Sequence, residues 1–291
     1  MADMMTKLLY HRMREMVLTE EDLNTYGYPR PHSQPGRAVI HRAASHYNIM
    51  NNFNTRTCQR CKTSYSIDAA GNLISPEPCN YHWAKLSTGT VPTYYCCRGK
   101  VSSQPCCTAP RHVSDQIDPD NLIGFINTQQ SHARKESIFA MDCEMVHTSV
   151  GMDVAAISMV DCNSKSVYET LILPDAPVID YNTKHSGLTE KEFDGVTTRL
   201  RDVHNKLLSL VGSQTILIGH GLNNDLLRLK VIHNNIVDTS VLYPHPKGLP
   251  YRASLIFLKN KHLGRASAYS LGLKCRGDAQ ATMKLVRLKC K

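Results

Sequence analysis

The sequence predicts an α/β protein, a mixed sheet with helices, preceded by a small module held together by metal. Three observations carry this. From Ile138 onward, strand-like segments come first in succession and then alternate with helical ones, the order expected of a mixed sheet. Seven of the eleven cysteines crowd between Cys58 and Cys107, a stretch too short to build an apolar core of its own, where ligated metal would replace one. A polar stretch from Ser114 to Lys135 separates the two regions and gives divisions 1–55, 56–135 and 136–291.

The elements follow in order. Met1 to Glu21 reads as a helix with Leu8, Leu9, Met13, Met16 and Val17 near a 3.6-residue period, and Y-G-Y-P-R-P-H-S-Q-P-G-R from Tyr26 to Arg37 breaks it into an extended connector. Ile138 to Met145, Asp153 to Asp161 and Ser166 to Pro174 are strand-like, with the turn composition C-N-S-K between the last two, so an antiparallel meander is expected. Thr189-Glu190-Lys191-Glu192 fits a capping box, and Leu200, Val203, Leu207, Leu208 and Val211 form a helical stripe. Thr215 to Gly219 is a fourth strand, Leu222 to Lys230 a helix, and Ile236 to Leu242 a fifth strand. Ala253 to Leu263 and Asp278 to Lys291 close the chain as helices.

At 291 residues the chain can bury a sizeable core in one large or two smaller domains. No run approaches the roughly 18 apolar residues of a membrane helix, and the opening M-A-D-M-M-T-K-L-L-Y-H-R lacks a signal-peptide core. A soluble, non-secreted protein with no membrane partner is expected. The net charge of +9 is uneven: Lys247 to Lys291 holds eleven Lys and Arg against Asp278 alone, whereas Ile138 to Pro246 carries eight bases and thirteen acids. A basic surface beside an acidic pocket suits an enzyme that grips a polyanion, although a solvated helix face accounts for the charge equally well.

In a non-secreted chain a cysteine cluster points to metal rather than disulfides. Cys58-x-x-Cys61 and Cys79-x-x-His82 are two pairs, each able to reach one ion from a tight turn, and together they complete the tetrahedral S/N shell of structural zinc. Cys96-Cys97, Cys106-Cys107 and His112 either supply a second site or contribute residues that merely pack.

Asp142 and Glu144 stand two residues apart, so on a strand they share a face and Cys143 turns to the other. Two like charges side by side call for a cation. Asp225, in the first turn of its helix, and Asp278, at the head of the last, are further acids, each explained equally well by the helix dipole.

Taken together, D-C-E-M at Asp142, T-I-L-I-G-H-G-L at Thr215 to Leu222 with its continuation G-H-G-L-N-N-D at Gly219 to Asp225, and Asp278 resemble the DEDD exonucleases of the ribonuclease H-like fold. Y-N-T-K-H-S-G-L-T at Tyr181, V-I-H-N-N-I-V-D-T-S-V-L-Y-P-H at Val231, G-L-P-Y-R-A-S-L at Gly248, C-N-Y-H-W at Cys79, V-L-T-E-E-D-L and Y-G-Y-P-R-P-H extend the resemblance, most closely to the RNA exonuclease 1 homologue and GOR antigen family. It covers nearly the whole chain. The resemblance implies a 3′-to-5′ exoribonuclease with two Mg²⁺ or Mn²⁺ ions held by Asp142, Glu144, Asp225 and Asp278, Asp142 bridging. It also implies single-stranded RNA or RNA 3′ ends as partner and the nucleus as location.

One departure bears on activity. The DEDDh branch places a general-base histidine five residues before its last aspartate, where this chain has Leu273. Lys274, four residues before Asp278, is not the tyrosine variant either. General-base help is worth about 10² to 10⁴ in rate, so a weakened exonuclease is expected, with a silent RNA-binding pseudo-exonuclease as the alternative. His262 or Lys274 could replace the base if the shortened loop folds inward, and His220 reads as structural at its strand-to-helix turn.

Overall fold

The computed structural model describes residues 2–290 apart from 53, 70, 75–76, 88–89, 132, 134–135, 249–250 and 265–272. Arg265 and Lys291 of the basic region, Leu249 and Pro250 of the G-L-P-Y motif, and Gly272 lie outside the described residues.

The central sheet is built from β1 (Ile138–Thr148), β2 (Gly151–Asp161), β3 (Ser166–Leu171), β4 (Ile216–Gly219) and β5 (Ile236–Asp238) in the order β3-β2-β1-β4-β5, with a short strand, Val178–Asp180, paired to the end of β1. The first three strands are antiparallel, whereas β4 runs parallel to both β1 and β5. This is the ribonuclease H-like mixed sheet expected from the sequence. Gly151 at φ 135° turns β1 tightly into β2.

Side-chain alternation along β1 decides what each face of the sheet meets. Ile138 and Ala140 point to one face and join Val160, Ile218 and the last helix, α5 (Lys274–Lys289), through Ala279, Met283 and Val286. Met141 and Cys143 point to the other and join α3 (Leu200–Leu210) and α4 (Leu222–Arg228) through Val203, Leu207, Leu222 and Leu226. Small residues under α5 let the helix approach the sheet closely. Asp142 and Glu144 have the parity of Ala140, so they look toward α5.

Four element boundaries differ from expectation. The N-terminal helix divides into α1 (Ala2–Arg14) and α2 (Glu20–Thr25), because the Leu18 amide donates to the Ile236 carbonyl of β5 and Thr19 starts a new helix with a reciprocal Asp22 cap. The fifth strand stops at Asp238, whose carboxylate caps a helical turn, Thr239–Leu242, by accepting from the Ser240 amide at 2.8 Å. The expected Ala253 helix becomes Leu255–Leu258 followed by a π-helical turn, Lys259–Leu263. Helix α5 begins at Lys274, which puts Asp278 in its second turn rather than at its head.

The N-terminal residues belong to the sheet's core. Tyr10 and Met13 are buried with Met283, Val286 and Cys290, while Leu18, Leu23 and Tyr28 pack with β1 and α4. Ala38 and Ile40, which precede the Cys/His module in the chain, pack with Leu227 and Ile232.

Candidate active site and metal centres

Asp142 and Glu144 project from β1 onto the face covered by α5, where Asp278 points back at them. Asp225 arrives from α4, placed by the β4-to-α4 turn at Gly221, which is left-handed at φ 66°. Asp225 Oδ1 accepts from the Cys143 amide of β1 at 3.0 Å, a bond that ties the helix to the strand carrying the other two acids. The sequence-predicted acids Glu144, Asp225 and Asp278 are therefore all brought within electrostatic reach of Asp142, without the mutual closeness of the Cys/His sets below.

Their electrostatics show the strain of that arrangement. Burial pushes the Asp142 carboxyl well above its usual range, and the charges of Asp225, Asp278 and Glu144 push it further. Burial raises Glu144 to about 8 despite Lys274 nearby, and raises Asp225 to about 7 against the bond from Cys143. Glu144 Oε1 is buried and has no hydrogen-bond partner among the described residues. A donor set of carboxylate oxygens, one of them unpartnered, in a site that resists its own charge fits a hard divalent cation.

Two lysines now supply part of the missing positive charge. Lys259 Nζ, from the π-helical turn, sits 3.0 Å from Asp278 Oδ1, and Lys274 Nζ sits 3.8 Å from Glu144 Oε2 while donating to the His185 carbonyl. Neither was assigned to the acids as a counter-charge on sequence grounds. The i, i+4 spacing of Lys274 and Asp278 on one helix face was the available signal for the second. Arg276 pairs with Glu169, so three of the C-terminal cations are already engaged and that region is not one free basic strip.

Leu273 N-caps α5 and packs into the apolar cluster of Val146, Leu188, Phe193 and Cys275. His262 lies against the Tyr243 ring at 4.9 Å. His220 Nδ1 lies 2.9 Å from Thr239 Oγ1, which itself donates to the Gly219 carbonyl, a structural role at the turn. Asp238, not singled out by sequence, holds the same turn by accepting from Tyr28 at 2.6 Å and from the Gly221 amide at 2.9 Å.

The cysteines and histidines form two sets, each with ligand atoms within 4.8 Å of one another: Cys58, Cys61, Cys79 and His112, and His82, Cys96, Cys97 and Cys106. The motif pairing is thus corrected. Cys79 and His82 do not share an ion's position, because Cys79–Tyr81 is a strand and residues three apart on a strand face opposite ways. His112 takes the place expected of His82. Cys107 belongs to neither set, its sulfur standing 3.9 Å from that of Cys106.

The spacings fit tetrahedral zinc, for which S–S and S–N edges of about 3.8 and 3.6 Å follow from the bond lengths. Cys58 and Cys79 sulfurs are 3.7 Å apart and Cys61 Sγ lies 3.3 Å from His112 Nδ1. In the other set, His82 Nδ1 lies 3.7 Å from Cys96 Sγ and 3.5 Å from Cys97 Sγ. Tyr65 stacks on His112 and Tyr94 on His82, which fixes both rings. Burial and the neighbouring Cys58 push the Cys79 thiol far up, while hydrogen bonds from Thr63 bring Cys61 down to about 6 against its burial. The thiols compete for one negative charge that a divalent ion would stabilise.

Comparison with known proteins decides the family. RNA exonuclease 1 homolog of Homo sapiens is 40% identical over 98% of this chain, and exonuclease GOR of Pan troglodytes is 37% identical over 97%. The chain belongs to the RNA exonuclease 1 homolog and GOR family. It spans 24% and 42% of the lengths of those two relatives. A family described as RNA exonuclease 3 middle domain matches residues 56–110, and one described as ElonginA binding-protein 1 matches residues 1–45. Among solved structures, the Neurospora crassa Pan2 catalytic unit aligns with 60% of this chain and 29% of its own at a TM-score of 0.47 and 22% identity.

Proposed function

We propose that this member of the family is a metal-dependent 3′-to-5′ exonuclease acting on RNA. The observation that carries the reading is the convergence of Asp142, Glu144, Asp225 and Asp278 on a site where burial and mutual repulsion raise carboxyl pKa values and Glu144 Oε1 lacks a partner. The names of the relatives supply the reaction class and the polymer. Two Mg²⁺ or Mn²⁺ ions, when bound, would activate a water and offset charge on the phosphoryl oxygens. Asp142, Glu144, Asp225 and Asp278 would hold them, with zinc in the two Cys/His sets as structural support. A nuclear location, implied by the family resemblance, is part of the proposal.

Within the chain, the Cys143 amide keeps Asp225 in place, and α5 carries Asp278 together with Lys274. Lys259 and Lys274 would have to yield to arriving cations. A second reading, a silent RNA-binding pseudo-exonuclease, is favoured by Leu273, an apolar side chain where the family has its base.

A time course of 3′-labelled single-stranded RNA with Mn²⁺ or Mg²⁺, against an EDTA control, tests the proposal. Stepwise shortening from the 3′ end that stops on chelation is expected. Intact RNA that is nonetheless bound supports the silent reading.

A further inference from the structure

A cleft of about 780 Å³ runs between the Cys/His module and the edge of the sheet, walled on one side by Arg60, Tyr81 and Trp83 and on the other by Asp180, Lys184 and His185. That size lies within the range of roughly 300 to 1,000 Å³ for ligand sites. Trp83, the only tryptophan, is 41% exposed, and its face is covered by Lys184 Nζ at 2.8 Å from the ring centroid. A large indole left in solvent under one flexible cation is a ready stacking surface. Arg60 spans the cleft to Asp180 at 2.8 Å and lies over the Tyr81 ring at 5.1 Å, so the module is pinned to the sheet and the second aromatic is fixed.

The charge that faces an occupant is positive. Of the two acids in the cleft, Asp180 is engaged by Arg60 and Asp115 accepts from the Asn48 amide at 2.9 Å. Lys62, Lys85 and Lys184 remain along the walls. At its far end the cleft meets the acids: the His185 carbonyl accepts from Lys274, the residue beside Glu144.

We propose that this cleft binds single-stranded RNA, with Trp83 and Tyr81 stacking successive bases and Lys62, Lys85 and Lys184 meeting phosphates, and that it leads the 3′ arm to the carboxylates. Aromatic platforms in a basic groove hold unpaired bases with little regard to sequence, and a duplex offers no free base faces to them. The inference rests on the nuclease reading for the direction of the strand but not for binding itself.

The test is binding of fluorescein-labelled single-stranded RNA to the full chain carrying Asp142→Asn, which prevents degradation, followed by anisotropy at two salt concentrations. Adding Trp83→Ala is expected to weaken binding about tenfold, in keeping with the loss of one stacked base. Adding Lys62→Glu with Lys85→Glu is expected to weaken it similarly and to flatten the salt dependence by about two phosphate contacts. Unchanged melting temperature and zinc content show that these exposed changes leave the fold intact. If RNA binds as before in both variants, or binds no better than duplex, the cleft is not an RNA path, and a protein partner becomes the reading for it. Binding lost on Trp83→Ala, beside a parent chain with Asp142 intact that never shortens RNA, would uphold the cleft and sink the nuclease proposal, so the two fail separately.

Discussion

In buffer without divalent cations, the stability of this protein relative to its Asp142→Asn variant should fall between pH 7 and pH 8. Folded carboxyls whose pKa is raised bind protons that the unfolded chain releases, so their contribution is fully present below the unfolded value and is lost as pH rises through the folded one. For Glu144 that window runs from the ordinary 4.5 to about 8, and Asp142 is raised by the same burial and the same neighbours. Each proton retained changes stability by about 1.4 kcal/mol per pH unit. Glu144 alone therefore loses roughly 1 kcal/mol from pH 7 to pH 8, which at about 2–4 °C per kcal/mol lowers Tm by about 2–4 °C, and Asp142, raised in the same direction and absent from the variant, adds to that fall in the parent only.

The window avoids the histidines, while the thiols, of which Cys61 is lowered to about 6 and so adds stability as pH rises, are the same in parent and variant and cancel between them. Burial lowers His147 and His233 to about 4, and groups with depressed folded values add stability with rising pH only up to their unfolded 6.5. Thermal melts of zinc-loaded protein in cation-free buffer at pH 7.0, 7.5 and 8.0 measure the slope. Adding Mn²⁺ should raise the parent's Tm at pH 8 and leave that of Asp142→Asn nearly unmoved. A parent Tm that does not fall relative to that of Asp142→Asn across this window would refute the reasoning.

Other outcomes follow from the same geometry. Elemental analysis should find two zinc ions per chain, and His82→Ala should lose the ion of Cys96, Cys97 and Cys106 while retaining that of Cys58, Cys61 and Cys79; one zinc in the parent contradicts the two-set arrangement. Lys259→Ala, which frees Asp278 from its ion pair, should tighten Mn²⁺ binding about tenfold by calorimetry, since a competing charge at that distance is worth on the order of 1–2 kcal/mol in a partly screened site. Leu273→His should raise turnover on 3′-labelled RNA about tenfold, short of a full general-base contribution. It should also lower Tm by a few degrees, because a side chain leaves the cluster around Leu188 and Phe193. No gain with normal Mn²⁺ affinity favours the silent reading.

The sheet was legible because β1 announces itself: an apolar run long enough to cross the core, with acids at alternate positions that can share one face. The convergence of Asp225 and Asp278 on that face is geometry that periodicity does not contain, and the family motifs supplied it in advance. Helix α5 was read one turn short, since Lys274, Cys275, Arg276 and Gly277 carry neither an apolar stripe nor a capping residue. The zinc ligands were legible as a set and not as a partition. Spacing by two residues means a shared ion only on a turn, and whether Cys79 to His82 is turn or strand depends on its pairing with Cys107–Ala109. Lys259 reaches Asp278 from a π-helical turn, which no sequence pattern foretold.

The burial of Tyr10 and Met13 against Met283 and Val286 makes the Cys/His module an insertion into one folded body rather than an appendage to it. A module on a single tether can swing, whereas one whose entering and leaving strands are both anchored in the same core has its position set twice. Residues that precede it reach Leu227 and Ile232 through Ala38 and Ile40, and residues that follow it rejoin through Leu122 and Phe125. On the proposed RNA path, a module anchored at both ends would set how many nucleotides lie between the first stacked base and the bond at the acids.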